Sequence, residues 1–341
     1  MRLIPALCTC LVLAAPMARA DSLRDHALTL FSPLPDRIAL LDGRPVTEAE
    51  VVLGRMLYFD PRLADDGATA CADCHDPATG GDGNRPTSTG HAWQSGPQNA
   101  PTLFNAMLNR ARFWQGWDED LPAAPARDLF RAERIATPDR MVAVLASMPG
   151  YVAAFEAAFP GEADPIRPET AARALAAYAS TLLTPAPFDD WLRGEDAALS
   201  EAAREGLALF IDRGCAGCHQ GVNLGGDSYH PVRVARVPGT ESLPESGACF
   251  ALEEADGAQY LYRAGTLRNV TLTAPYFSEG TVWSLPLAVE IMGRAQLGAD
   301  LTEAEADAIT AFLATLEGRP PPLMLPMLPA ETGLTPRPQV Q

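Results

Sequence analysis

Apolar residues recur at helical spacing in four stretches of this chain, each with a recognisable start or stop. Thr47-Glu48-Ala49-Glu50 has the T-x-x-E form of a capping box, Val51, Val52, Met56 and Tyr58-Phe59 supply an apolar face, and Asp60-Pro61 ends the run. Leu199-Ser200 opens a second helix through Gly206, Leu209 and Phe210. Alanine-rich amphipathic helices are expected over Thr170 to Leu183 and Thr302 to Leu316, the latter with Ile309, Phe312, Leu313 and Leu316 on one face. From Asp21 to about Pro45 the pattern has no sustained period, which reads as an extended arm on the surface. The stretch from Gly318 is proline-rich and reads as a tail draped over the body or disordered.

The pattern also repeats. Gly54-x-x-Leu57-Tyr58 and Gly206-x-x-Leu209-Phe210 match in spacing, each leads into a cysteine pair, and each pair is followed downstream by one of the alanine-rich helices. Internal duplication of a small helical domain is the economical account. Thr184-Pro185-Ala186-Pro187-Phe188 cannot continue a helix and marks the linker. The expected organisation is mostly α: a leader over residues 1–20, domains over 21–185 and 186–318, and a tail over 319–341.

Composition sharpens this picture in two places. Arg2, an apolar stretch through Leu13 to Ala15, and Ala18-Arg19-Ala20 have the form of a cleaved secretory signal, too short to span a bilayer. No later run is long enough to span one either, which points to the periplasm. The formal charge is −17 and the chain contains no lysine. That argues against nucleic acid as a partner and suits encounter with a basic soluble protein, although acidity is also a common solubility device.

The cysteines carry the chemistry. Cys71-Ala72-Asp73-Cys74-His75 and Cys215-Ala216-Gly217-Cys218-His219 are both C-x-x-C-H, the pattern of covalent c-type haem: two thioether bonds and an imidazole for the iron. A redox dithiol or half a zinc site is the plainer reading of one copy, but two copies behind an export signal favour two haems. Cys8 and Cys10 would leave with the leader, so Cys249 remains a lone thiol. Of the five histidines, His75 and His219 are the proximal candidates and His26 lies in the arm. His91 and His230 remain as distal candidates; His91 follows the glycine-rich loop Thr79-Gly80-Gly81-Asp82-Gly83-Asn84, whereas His230 reads best as a solvated loop residue.

The run Thr89-Gly90-His91-Ala92-Trp93-Gln94-Ser95-Gly96-Pro97-Gln98-Asn99-Ala100-Pro101-Thr102, followed by Phe113-Trp114, resembles the bacterial dihaem cytochrome c peroxidase family, which includes a MauG-like branch. Thr266-Leu267-Arg268-Asn269-Val270, Ala274-Pro275-Tyr276-Phe277 and Ile291-Met292-Gly293-Arg294-Ala295-Gln296-Leu297-Gly298 extend the resemblance over nearly all of the chain after the leader. It implies two cytochrome c-like domains packed face to face. It implies that His91 is a distal ligand that leaves the amino-terminal haem, that Met292 is the thioether ligand opposite His219, and that Trp114 lies between the haems. Asn99 with the carbonyls of Thr273 and Pro275 resembles the ligand set of an interdomain calcium. Breaking the O–O bond of peroxide requires a proton moved between its oxygens, and Glu133 stands closest to the family's glutamate, with Glu119 as the fallback.

The chain departs from the family at Gln115 and Trp117, where a carboxylate and an arginine are usual, at Ser278 in place of a histidine, and at Gly265 in place of a proline. The implied activity is reduction of hydrogen peroxide to water with electrons from a small cytochrome c or a cupredoxin, in an enzyme expected to form homodimers. The alternative is a MauG-like catalyst that oxidises tryptophan or tyrosine of a partner protein, and a plain dihaem electron carrier is a third. Met292, where that branch is expected to have tyrosine, weighs against the alternative.

Overall fold

A computed structural model describes residues 15–89, 95, 96, 98–110, 137–231, 249–254 and 257–339; side chains at 15–21, 231, 249–254 and 257–262 are not described. Two hydrophobic cores, each built on a crossed pair of helices, divide it. In the first, α2 (Glu48–Phe59) crosses the helix at Pro168–Ala179, here α5, and α3 (Pro138–Ala146) and α4 (Pro149–Ala158) close the remaining side. Leu53, Leu57, Met141, Leu145, Tyr151 and Phe155 are fully buried between them. In the second, α7 (Glu201–Asp212) crosses α9 (Glu303–Ala314), joined by α6 (Pro187–Leu192) and α8 (Leu285–Met292) around Phe188, Trp191, Leu207 and Phe312.

The crossings explain the repeated glycine. A Cβ on Gly54 would lie 1.8 Å from the carbonyl oxygen of Ala174, and one on Gly206 would lie 1.8 Å from that of Ala308. Only a residue without a side chain lets these backbones touch. The expected starts are also present: Thr47 and Glu50 complete a reciprocal capping box, and Ser200 caps α7. α5 stops at Ala179, before the expected Leu183, because tight turns at Thr181 and Leu182 precede Pro185.

One expectation needs correction. The amino-terminal arm is not extended: residues 15–30 form α1 (Ala15–Leu30), and Ala27, Phe31 and Leu34 are buried. Phe31 meets Phe188 edge-to-face at 5.6 Å, and Arg24 lies over the Trp191 ring at 5.0 Å. Thus α1 belongs to the second core although it precedes the first in sequence. The segment between the two cores is itself buried at Thr184, Ala186 and Phe188. Two small sheets accompany the helices. β1 (Leu40–Leu41) and β2 (Arg44–Pro45) make a hairpin, while β3 (Tyr229–Pro231), β4 (Cys249–Glu254) and β5 (Gly257–Arg263) form an antiparallel sheet in the order β3-β5-β4.

The tail is draped, one of the two forms expected for it. Arg62 Nη1 donates to Pro329 O at 2.8 Å, Thr332 Oγ1 to Ser147 O at 2.9 Å, and Gln339 N to Asp65 O at 2.7 Å, so chain leaving the second core straps the first. Among the described residues no single helix is long and apolar enough to cross a membrane.

Candidate functional site

The second C-x-x-C-H segment follows α7 almost at once, whereas the first follows α2 after a 3₁₀ turn at Pro61–Leu63 and a short loop. Cys71–Cys74 is one helical turn with Asp73 accepting from Ala70 N at 2.7 Å, and Cys215–Gly217 is a 3₁₀ turn entered through Gly214. The turns present both cysteines and the histidine of each motif together. None of these four cysteines is in a disulfide.

The two imidazoles are oriented in the same way. His75 Nδ1 donates to Pro101 O at 2.8 Å; His219 Nδ1 lies 3.0 Å from Gly265 O and 3.2 Å from Leu224 O. A backbone carbonyl at Nδ1 selects the tautomer with its proton there and leaves the Nε2 lone pair for a metal. Burial holds the His219 pKa low, opposed by the two carbonyls, which favours the neutral form that a metal ligand needs. Burial likewise pushes the Cys215 thiol up to about 11.

Beside His219 lies a cavity of about 340 Å³ with a largely apolar wall that includes Phe210, Leu285, Val289 and Leu313. Cys215, Cys218 and Met292 line it too. Met292 sits where α8 gives way to a π-helical turn, Gly293–Leu297, closed by left-handed Gly298, a local irregularity that often marks a working position. Thioether, imidazole and paired thiols around an apolar slot are the donor set that suits haem c. Asn99, Thr273 and Pro275 meet on the same cavity wall. Asn99 is 7 % exposed, and its Nδ2 donates to Arg85 O at 2.8 Å and to Pro275 O at 3.4 Å.

His91, Trp114, Glu119 and Glu133 lie outside the described residues. His230 is not a solvated loop residue: it lies on β3, half-buried, lines the cavity, and its Nε2 is 2.8 Å from Ser228 Oγ. Sequence reasoning also passed over Arg263, 6 % exposed at the end of β5 and on the same wall.

Two helical cores, each ending in a C-x-x-C-H turn with a carbonyl-fixed histidine, define a dihaem protein of the c type. The comparisons agree at both scales. The pattern of the di-haem cytochrome c peroxidase family matches residues 48–197, and that of cytochrome c matches residues 203–317. The cytochrome c551 peroxidase of Pseudomonas aeruginosa is 44% identical over 99% of this chain and 98% of its own. That of Nitrosomonas europaea is 39% identical over 84% and 85%. The methylamine utilization protein MauG of Methylorubrum extorquens is 30% identical over 95% and 94%. A solved MauG-like protein associated with microbial copper homeostasis shares the fold with a TM-score of 0.68 at 23% identity, covering 84% of this chain and 95% of its own.

The chain therefore belongs to the di-haem cytochrome c peroxidase family. It is a peroxidase built of two cytochrome c-like domains, and its prosthetic group is haem c.

Proposed function

We propose that this enzyme reduces hydrogen peroxide to two molecules of water with two electrons, taken one at a time from a small cytochrome c or a cupredoxin in the periplasm. The observation that carries the reading is the convergence of Cys215, Cys218, His219 and Met292 on one apolar cavity in one half, beside a matching C-x-x-C-H turn in the other. Haem c, held there by thioether bonds, supplies an iron that takes up and passes single electrons and at which peroxide is reduced.

The residues divide that work. Cys71, Cys74 and His75 hold the amino-terminal group; Cys215, Cys218, His219 and Met292 hold the carboxy-terminal one, where electrons enter. With haem bound there, the thioether of Met292 would favour the reduced state and raise the potential of this site. Trp114 is assigned the relay of electrons from the carboxy-terminal group to the amino-terminal one. His91 is assigned to the amino-terminal group as the ligand that would give way to substrate. Glu133, with Glu119 as the alternative, takes a proton from the inner peroxide oxygen and returns it to the outer one, so that water is the leaving group. Asn99 and the carbonyls of Thr273 and Pro275 offer the hard oxygen donors calcium prefers, and calcium bound there would pin the two halves together. A homodimer is the expected assembly.

A combined optical and paramagnetic titration tests this. Half-reduction in calcium should turn one haem high-spin, and added peroxide should then oxidise a reduced cytochrome c donor. A long-lived doubly oxidised state that the donor does not quench would transfer support to oxidation of a partner protein's tryptophan or tyrosine. His91→Gly should open the amino-terminal site without prior reduction, and an unchanged six-coordinate spectrum would remove His91 from its role.

A further inference from the structure

Haem offers two unlike edges to a protein. One carries the vinyl groups, which the cysteines capture, and the other carries two propionate carboxylates. Inserting carboxylates into an apolar wall without a counter-charge costs several kcal/mol, so a cavity that takes haem deeply should supply a cation for that edge. The chain has no lysine with which to do so.

Among the described residues lining the cavity, Arg263 is the one lysine or arginine. It is buried, and its backbone position is set from both sides. Arg263 pairs with Tyr229 across β3 and β5, and the next residue is clamped by Ala264 N to Ser228 O at 3.0 Å and Gly226 N to Ala264 O at 2.7 Å. Two residues on, Gly265 O is the carbonyl that orients His219. The segment that aims the imidazole therefore also delivers the guanidinium. Burial pushes the Arg263 pKa down to about 10, opposed by Tyr229, so an anion brought into the cavity would be welcomed electrostatically. His230 stands on the neighbouring strand and lines the same cavity, with its Nε2 2.8 Å from Ser228 Oγ.

We infer that Arg263, assisted by His230, is the positioning residue for the propionate edge of the haem attached at Cys215 and Cys218, and that its charge helps set the potential of that haem. The inference rests on the reading of this cavity as the carboxy-terminal haem site. The planar guanidinium fork matches a carboxylate bidentately, which a lysine would not. A fixed positive charge beside the haem opposes the extra positive charge of the oxidised iron, so Arg263 and the Met292 thioether act in the same direction.

The test is Arg263→Gln in the intact holoenzyme, with the potential of each haem followed optically. Haem content per chain and the mass of the peptide spanning Cys215–His219 are measured alongside. The expected result is full haem attachment, an unchanged amino-terminal haem, and about a tenfold shift of the carboxy-terminal couple toward the oxidised form, equivalent to about 59 mV. Arg263→Lys, which keeps the charge, should recover most of the shift. An unaltered potential in Arg263→Gln with both haems attached would overturn the inference. If the wild-type peptide carried no haem, the site assignment itself would fail instead. Should Arg263→Gln not accumulate, a crystal structure of the wild-type holoenzyme decides. A guanidinium nitrogen within about 3.2 Å of a propionate oxygen is expected, and a separation beyond about 4 Å overturns the assignment.

Discussion

Asn105 and Asn269 donate to the same hydroxyl: each Nδ2 lies 2.8 Å from Thr184 Oγ1. The two asparagines occupy equivalent places in the duplicated halves, each left-handed and each opening a 3₁₀ turn. Thr184 N returns a bond to Asn105 Oδ1 at 3.0 Å, and Gly318 N donates to Asn269 Oδ1 at 2.9 Å. A segment read as a linker is thus a buried polar hub. Thr184→Val preserves shape but strands two buried amides, and should destabilise the protein by about 2–4 kcal/mol, whereas Thr184→Ser should be close to wild type. Urea unfolding of the holoprotein measures both; a loss in Thr184→Ser with none in Thr184→Val would show that the methyl, not the hydroxyl, matters there.

The helix crossings make a second prediction. A methyl group at Gly206 would overlap Ala308 O, and the clash is with backbone, which cannot swing aside. Gly206→Ala should lower stability by about 1–3 kcal/mol or more, and Gly54→Ala should do the same in the other half. Calorimetry would show each variant with a lowered midpoint. A rise, as expected for an ordinary exposed helical glycine, would contradict the close contact.

Asp82 links stability to pH. It is 1 % exposed, with Oδ1 accepting from Asn84 Nδ2 at 3.1 Å and no partner for Oδ2 among the described residues. Burial pushes its carboxyl up to about 6, against backbone N–H bonds from Asn84 and Asp82. Between its ordinary value near 3.8 and about 6, the native chain holds this proton more tightly than the unfolded one. Its contribution therefore declines as pH rises through that window and stays low above it. Asp82→Asn should be more stable than wild type at pH 7 by about 2 kcal/mol, with the advantage vanishing toward pH 4. Denaturation midpoints of the pair at both pH values decide, and a constant difference would exclude the titration.

A buried ion pair ties α6 to the second haem segment. Arg268 Nη1 and Nη2 meet Asp189 Oδ2 and Oδ1 at 2.9 and 2.8 Å, and both side chains are fully buried. Asp189 Oδ1 also accepts from Leu34 N at 2.7 Å, where the amino-terminal segment docks. Arg268→Met leaves a buried carboxylate without its counter-charge and should cost about 3–5 kcal/mol. The double variant Arg268→Met/Asp189→Leu should recover part of that loss, and a fully additive loss in the double-mutant cycle would argue against coupling.

Calcium gives the fifth prediction. If Asn99, Thr273 and Pro275 hold the ion, calcium at about a hundred times its dissociation constant should stabilise the protein by about 2.7 kcal/mol, and Asn99→Ala should abolish the response. Thermal midpoints with calcium and with a chelator would be identical if no such site exists.

What could be read from the residues alone was what is encoded within a few positions of itself. The two C-x-x-C-H motifs, the Thr47–Glu50 capping box, the proline stops and the matched glycines belong here, because attachment chemistry and helix ends depend on neighbours in the chain. The first helix was missed since its apolar positions lack a period; Ala27 and Phe31 are buried only because Phe188 and the core around it receive them. Thr184, His230 and Arg263 look ordinary in sequence, and their roles come from partners far away in the chain. Tertiary structure alone decided which core each terminal segment packs on, where the polar hub lies, and which cation lines the cavity beside His219, because burial and charge pairing at those places are properties of distant segments brought together.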